Sequence, residues 1–246
     1  MREGVLPGEL ELARRIQKGL LPRGFPRVPT LEFDAWQETA EATGGDYYDV
    51  MLAPGGSVDL IVGDVSGHGI ASALLMSALR AYLRALRLGE TNPERLMERL
   101  DRLITPDLPQ DGFISLVLCR ISPDGTACYV SAGHHPPLVY RPARDAFDRH
   151  QATDLVLGVD PGASYAAHEI APLHRGDVVV LVTDGLYEAA SPQGELLGVE
   201  SVREAIRAAA SEGASGVVES LRALAFGHAE RLELEDDVTL LVAART

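Results

Sequence analysis

Cysteine is scarce in this chain, two residues in 246, and no uninterrupted apolar run approaches the ~18 residues of a membrane-spanning helix. The first scarcity leaves nothing from which to build a disulfide scaffold or a thiolate metal cage. The second removes any predicted membrane span. The opening Met1-Arg2-Glu3-Gly4 has no apolar signal-peptide core, so a cytoplasmic protein is expected. Basic residues are also in short supply: 22 Lys+Arg against 36 Asp+Glu give a net charge of −14, which disfavours nucleic acid or an anionic membrane as partner. The glycine-rich stretches carry neither the dinucleotide-binding spacing nor a P-loop lysine.

What is present is enough apolar material, 46% of the residues, to bury a full core in one domain. Glu9 to Leu21 carries Leu10, Ala13, Ile16 and Leu20 at helical spacing and is stopped by Pro22. With the Pro26/Pro29 connector it forms an arm, residues 1–30, ahead of a domain over 31–246. A strand is predicted over Leu31–Trp36, with Trp36 in the core. A helix over Ile70–Leu88 presents Ile70, Ala73, Leu74, Ser77, Ala78, Ala81, Tyr82 and Ala85, and Gly89 closes it. Asn92-Pro93-Glu94 restarts a helix with the stripe Leu96, Met97, Leu100, Leu103 and Ile104. Around Ser122-Pro123-Asp124-Gly125 a hairpin is expected, with Gly125 left-handed and Cys128 opposite Arg120, not opposite Cys119; both thiols stay reduced. Covering helices are expected around Val199–Ile206 and Val217–Leu224. This order of elements predicts an α+β domain of antiparallel sheets faced by helices.

Acids recur at strand ends. Asp64, in Gly63-Asp64-Val65-Ser66-Gly67-His68-Gly69, follows the apolar run Val58–Val62. Asp184 follows Val178–Val182 in the same way. Asp46 precedes the alternating Tyr48, Val50, Leu52, and Asp236-Asp237 precede Val238–Ala243. In an antiparallel sheet the end of one strand and the start of its neighbour share an edge, so Asp64, Asp184 and Asp236 or Asp237 can meet, with Asp46 a further candidate ligand. One such Asp alone is ordinary turn chemistry. Carboxylates with a carbonyl and water are the donor set of a hard divalent cation. His134 and His135 are adjacent on an extended segment and point opposite ways, so at most one could face a site.

Taken together, Gly44-Gly45-Asp46-Tyr47-Tyr48-Asp49, the Asp64 stretch, Ala132-Gly133-His134-His135-Pro136, Thr183-Asp184-Gly185 and Asp236-Asp237-Val238-Thr239 resemble, in order and spacing, the bacterial SpoIIE/RsbU-type branch of the metal-dependent (PPM, type 2C-like) protein serine/threonine phosphatases. The resemblance runs over roughly residues 9 to 244. It implies an αββα sandwich with two Mn²⁺ or Mg²⁺ ions at one edge. Asp64 would bridge both ions, Asp184 and Asp236 would complete one, and Asp46 with the Val65 carbonyl would belong to the other, Asp237 being the alternative to Asp236. Asp64 and Asp184 then act through metal-bound water. His68 lies four residues after Asp64, where eukaryotic relatives place a histidine two residues on, and no counterpart of their phosphate-binding Arg is found. The resemblance further implies a phosphoserine or phosphothreonine substrate on a STAS-domain anti-sigma-factor antagonist, in a partner-switching stress pathway. A catalytically silent binding module of the same fold is the alternative, and a hydrolase of small phosphoesters the weaker third. In relatives an arm with Ile16-Gln17 and Leu20-Leu21-Pro22 joins a sensory domain to the phosphatase. Nothing of domain size precedes it here, so the chain reads as a piece of a longer protein or as a stand-alone enzyme. A helix this short is marginal alone, and pairing of two copies, as a weak homodimer that biases the Asp46 segment towards metal, is expected over simple packing on the domain.

Overall fold

The computed structural model describes residues 7–151, 154–230 and 234–246. The apolar runs form strands of two antiparallel sheets. One has the order β1 (Leu31–Glu38), β10 (Val238–Arg245), β9 (Val178–Val182), β6 (Leu138–Arg141), β7 (Ala146–Phe147). The other has the order β2 (Tyr47–Leu52), β3 (Val58–Val65), β4 (Ile114–Ile121), β5 (Ala127–Ala132), β8 (His168–Ile170). Val50, Leu60, Val62 and Val117 of the second sheet pack against Val179, Leu181, Leu241 and Ala243 of the first, so the inner faces make the central core. Helices α2 (Gly69–Arg87) and α3 (Pro93–Ile104) cover the outside of the second sheet. Helices α4 (Asp184–Tyr187), α5 (Gly198–Ala209) and α6 (Gly213–Ala229) cover the first. The predicted αββα sandwich is the observed one.

Several local expectations hold for their stated reasons. Asn92 caps α3 by accepting from the Arg95 amide at 2.8 Å. Gly125 is left-handed at φ 94°, the Ser122 amide donates to the Thr126 carbonyl at 2.8 Å, and Arg120 stands opposite Cys128. Both cysteines are free.

The buried face of α2 differs from the expected stripe. Ser72, Ala73, Met76, Leu79, Leu83 and Leu86 face the sheet, while Leu74 is 68% exposed and Ile70 37%. Burying a Met or Leu is worth ~1.5–3 kcal/mol each, far more than an alanine, so the row with the larger side chains turns inward. Leu103 of α3 is likewise exposed, at 44%. At 19 residues α2 is also apolar and long enough, by length and composition, to cross a membrane, contrary to the expectation from the sequence. It is nonetheless a core helix here: Arg80 Nε donates to the Leu20 carbonyl at 2.6 Å and Arg84 Nε to Asp49 at 2.8 Å, at one flank of the leucine stripe.

The arm forms helix α1 (Pro7–Leu20) and lies on its own domain. Gln17 is buried and grips the backbone of Gly44 with both ends of its amide, its Nε2 to the carbonyl at 2.5 Å and its Oε1 to the N–H at 3.1 Å. Ile16, expected in the apolar stripe, is 59% exposed, and Leu12 beside it 49%.

The corrected α2 face makes a stability prediction. Leu79→Ala is expected to cost ~2–5 kcal/mol in urea denaturation, and Leu74→Ala within ~0.5 kcal/mol; equal costs would restore the first reading of the helix.

Candidate metal centre

The site is assembled from strand ends. Tyr47 at the start of β2 pairs with Gly63 near the end of β3, which sets Asp46 and Asp64 side by side. In the other sheet the Thr183 amide donates to the Thr239 carbonyl at 3.1 Å, so Asp184, just after β9, lies by Asp236 and Asp237, just before β10. The sheets are joined across this edge through Asp46. Its Oδ2 accepts from the Thr183 hydroxyl at 2.8 Å and the Thr239 hydroxyl at 2.6 Å.

The structure therefore brings Asp64, Asp184, Asp236 and Asp237 to one edge, as the strand-end argument expected, and places Asp46 with them. The Val65 carbonyl is there too. Gly45 explains the approach: a Cβ at that residue would lie 2.5 Å from the Val65 oxygen and 3.3 Å from Asp64 Oδ1, so only glycine leaves this oxygen-lined space open.

The two C-terminal acids differ in use. Asp237 is half-buried and spends both oxygens on backbone, accepting from the Ala40 amide at 2.9 Å and the Gly45 amide at 2.8 Å. Asp236 is exposed, and its Oδ1 accepts from the Asp237 amide at 2.8 Å.

The electrostatics follow from crowding like charges in a half-dry place. Burial, then the Asp184, Asp236 and Asp237 carboxylates, push Asp64 up to about 7 from its ordinary 3.8. Burial and the neighbouring Asp64 raise Asp46 well above the usual range, against the opposing help of Thr239 and Thr183. Among the described residues no Lys, Arg or His forms an ion pair with Asp46, Asp64, Asp184 or Asp236. Also among the described residues, no three Asp, Glu, His or Cys side chains converge as a preformed cage. The donor set, all carboxylate and carbonyl oxygen, fits a hard divalent cation.

The histidines lie outside this set. His134 is buried and accepts from the Ser115 hydroxyl at Nδ1 (2.7 Å) while Nε2–H donates to the Val182 carbonyl (3.0 Å). Burial takes its pKa down to about 4, so it is a neutral strut holding β9 just before Asp184. His135 points the other way and is exposed, its ring beside that of Tyr187, as the alternation argument required. His68 is 86% exposed and pairs with Glu41 at 2.9 Å. Reasoning from the sequence missed the roles of Thr183, Thr239 and Gln17. The signal for the threonines was available, since each sits beside an acid of its motif, but only the pairing of both with Asp46 across the sheets gives them a function.

The family model for Stage II sporulation protein E (SpoIIE) matches residues 54–246. The chain belongs to the SpoIIE family. The match begins after Asp46, so that residue rests on the geometry alone. Phosphoserine phosphatase RsbU of Bacillus subtilis (strain 168) is 28% identical over 244 residues, covering 98% of this chain and 71% of its own. Among solved structures, the RsbU and RsbW domains of Rv1364c from Mycobacterium tuberculosis superpose with a TM-score of 0.74 at 28% identity, over 92% of this chain and 63% of that one. The PP2C domain of SiaA from Pseudomonas aeruginosa reaches 0.83 at 18% identity, over 97% and 96%, which shows the shared fold. The catalytic domain of PstP, solved with two manganese ions, reaches 0.63 at 16% identity, over 87% and 98%.

The raised Asp64 has a consequence for stability. A carboxyl that holds its proton more tightly folded than unfolded adds stability below about pH 4 and loses it as pH rises to about 7. In EDTA, the melting temperature of this SpoIIE-family chain is therefore expected to rise between pH 8 and pH 5, and the rise to shrink in Asp64→Asn. An identical pH profile in the variant would remove Asp64 as the source.

Proposed function

We infer that this chain is a metal-dependent protein serine/threonine phosphatase that removes phosphate from a regulatory phosphoprotein. The observation that carries the reading is the cluster of Asp46, Asp64, Asp184 and Asp236 at one edge of a SpoIIE-family sandwich, with no cationic partner among the described residues. The name of RsbU, a phosphoserine phosphatase, supports the reaction class, and the manganese-bearing PstP fold supports the metal.

The residues that would hold two Mn²⁺ or Mg²⁺ ions are Asp64 between them, Asp184 and Asp236 on one side, and Asp46 with the Val65 carbonyl on the other. Asp236 is preferred to Asp237 because both Asp237 oxygens already hold backbone amides. Two such ions, when bound, would supply a lowered pKa for water and positive charge against the phosphoryl oxygens. The chain's own part is to orient. Thr183 and Thr239 fix Asp46, Asp237 brackets the Ala40–Gly45 loop, and His134 fixes the strand leading to Asp184. The leaving oxygen's proton is not assigned to His68, whose ring engages Glu41.

The substrate in this reading is a phosphorylated STAS-domain antagonist in a partner-switching pathway of the cytoplasm. The Rv1364c structure, which joins RsbU and RsbW domains in one chain, supports that setting. A net charge of −14 means recognition by shape and not by bulk attraction.

Mn²⁺- or Mg²⁺-dependent hydrolysis of an aryl phosphate is expected in the wild type and lost to background in Asp64→Asn and Asp184→Asn. A phosphorylated STAS domain should be dephosphorylated at least ~10-fold faster than an unrelated phosphoprotein at equal concentration. Activity surviving both substitutions removes the site, and equal rates on the two proteins remove the specificity. A folded, cation-binding wild type inactive on every substrate is the outcome that favours the silent module.

A weak homodimer through α1 completes the reading. The exposed Leu12 and Ile16 supply the apolar contact, and Gln17, fixed to Gly44, links the helix to the loop that carries Asp46. Ile16→Glu is expected to lower the mass measured by light scattering at high concentration and to weaken Mn²⁺ affinity with it. An unchanged monomer with unchanged affinity refutes the link.

A further inference from the structure

Beside the acid edge lies a cavity of about 310 Å³ that the chemistry above does not use. Tyr187 lines it, three residues after Asp184 in the short helix α4, a rise of only ~5 Å along the axis. His135 lines it from the other side, its ring centroid 5.0 Å from that of Tyr187. The neighbouring His134 braces the Val182 carbonyl, so strand β9 and the cavity wall are set by the same two histidines.

The lining says what it would take. Pro136, Leu138 and Val199 are apolar, and the faces of Tyr187 and His135 are aromatic. The one arginine, Arg203, is already held by Glu200 at 2.7 Å and lies 5.6 Å from the Phe147 ring centroid. His150 is nine-tenths buried, its Nε2 has no hydrogen-bond partner, and the nearest acid, Asp148, stands 3.9 Å away. An anion would meet Asp148, and the Arg203 guanidinium it would need is shared with Glu200 through one terminal nitrogen, while its Nε is buried without a partner. An aromatic ring finds apolar walls and two rings to pack against.

We propose that this cavity is a specificity subsite that receives an aromatic side chain of the substrate protein, a few residues from the phosphorylated serine or threonine. The proposal rests on the phosphatase reading and deepens it. An extended chain advances ~3.3 Å per residue, so a segment with its phosphate among the acids reaches past α4 within about three residues.

The test uses Val199, which is 39% exposed, lies in the first turn of α5, and belongs to no part of the acid cluster. Glu is well tolerated in a first helical turn, so Val199→Glu should fold, and Val199→Trp fills the same space without charge. Phosphoserine peptides in which one flanking position at a time carries Phe, Leu, Glu or Lys are compared by kcat/KM, with aryl phosphate as reference. The wild type should favour Phe over Glu by at least ~10-fold at one flanking position. Both variants should erase that preference and leave aryl phosphate hydrolysis unchanged. A flat wild-type profile, a preference that persists in both variants, or an equal loss on aryl phosphate overturns the proposal. Failure of the wild type on aryl phosphate as well as on every peptide marks instead the failure of the phosphatase reading, and the subsite falls with it.

Discussion

Mutual repulsion among carboxylates at the shared edge of the two sheets is the constraint on which the rest of the site depends. Asp64 feels Asp184, Asp236 and Asp237, and Asp46 feels Asp64 and Asp237. Such groups separate, or take up protons, unless the backbone holds them. Here the backbone does. The continuous strands β3, β9 and β10 fix the acids they end or begin with, and Asp46, at the head of β2 in one sheet, is tied to the other sheet by the Thr183 and Thr239 hydroxyls. Asp237 spends its charge on the amides of Ala40 and Gly45, so one acid of the cluster acts as a fastener for the loop that carries another.

Acids elsewhere in the fold show what this edge lacks. Asp59 is fully buried and meets Arg120 through two hydrogen bonds at 2.6 and 2.9 Å. Asp49 takes Arg84 and the Tyr47 hydroxyl. Arg141 lies between Asp148 and Asp177. A buried acid left without a partner costs several kcal/mol; guanidinium meets it at Asp59, Asp49, Asp148 and Asp177, whereas buried Asp101 is held by the Thr105 hydroxyl and the Gly158 amide. At the strand ends the chain supplies no guanidinium among the described residues.

Much of this was legible in the residues. Period-two and continuous apolar runs marked β3, β9 and β10, and an Asp at each of their ends marked the edge. Alternation along an extended segment separated His134 from His135. The face of α2 was not legible, because a row of alanines and a row of leucines both repeat at helical spacing; only packing against the sheet decides, and the larger side chains win. The exposure of Ile16 and the inward turn of Gln17 were hidden for a related reason, since an amide can occupy a buried position when it finds both a donor and an acceptor, here Gly44. Asp236 and Asp237 were indistinguishable until the Ala40 and Gly45 amides showed which one was already engaged.

The central claim is that divalent cations, and not protons or arginines, offset the charge at this edge. Anomalous scattering from a crystal grown with Mn²⁺ tests it most directly. The account predicts two peaks per chain beside Asp64, one reached by Asp184 and Asp236 and the other by Asp46 and the Val65 carbonyl. A fully occupied crystal with no peak at this edge, or with manganese bound only elsewhere, would contradict it.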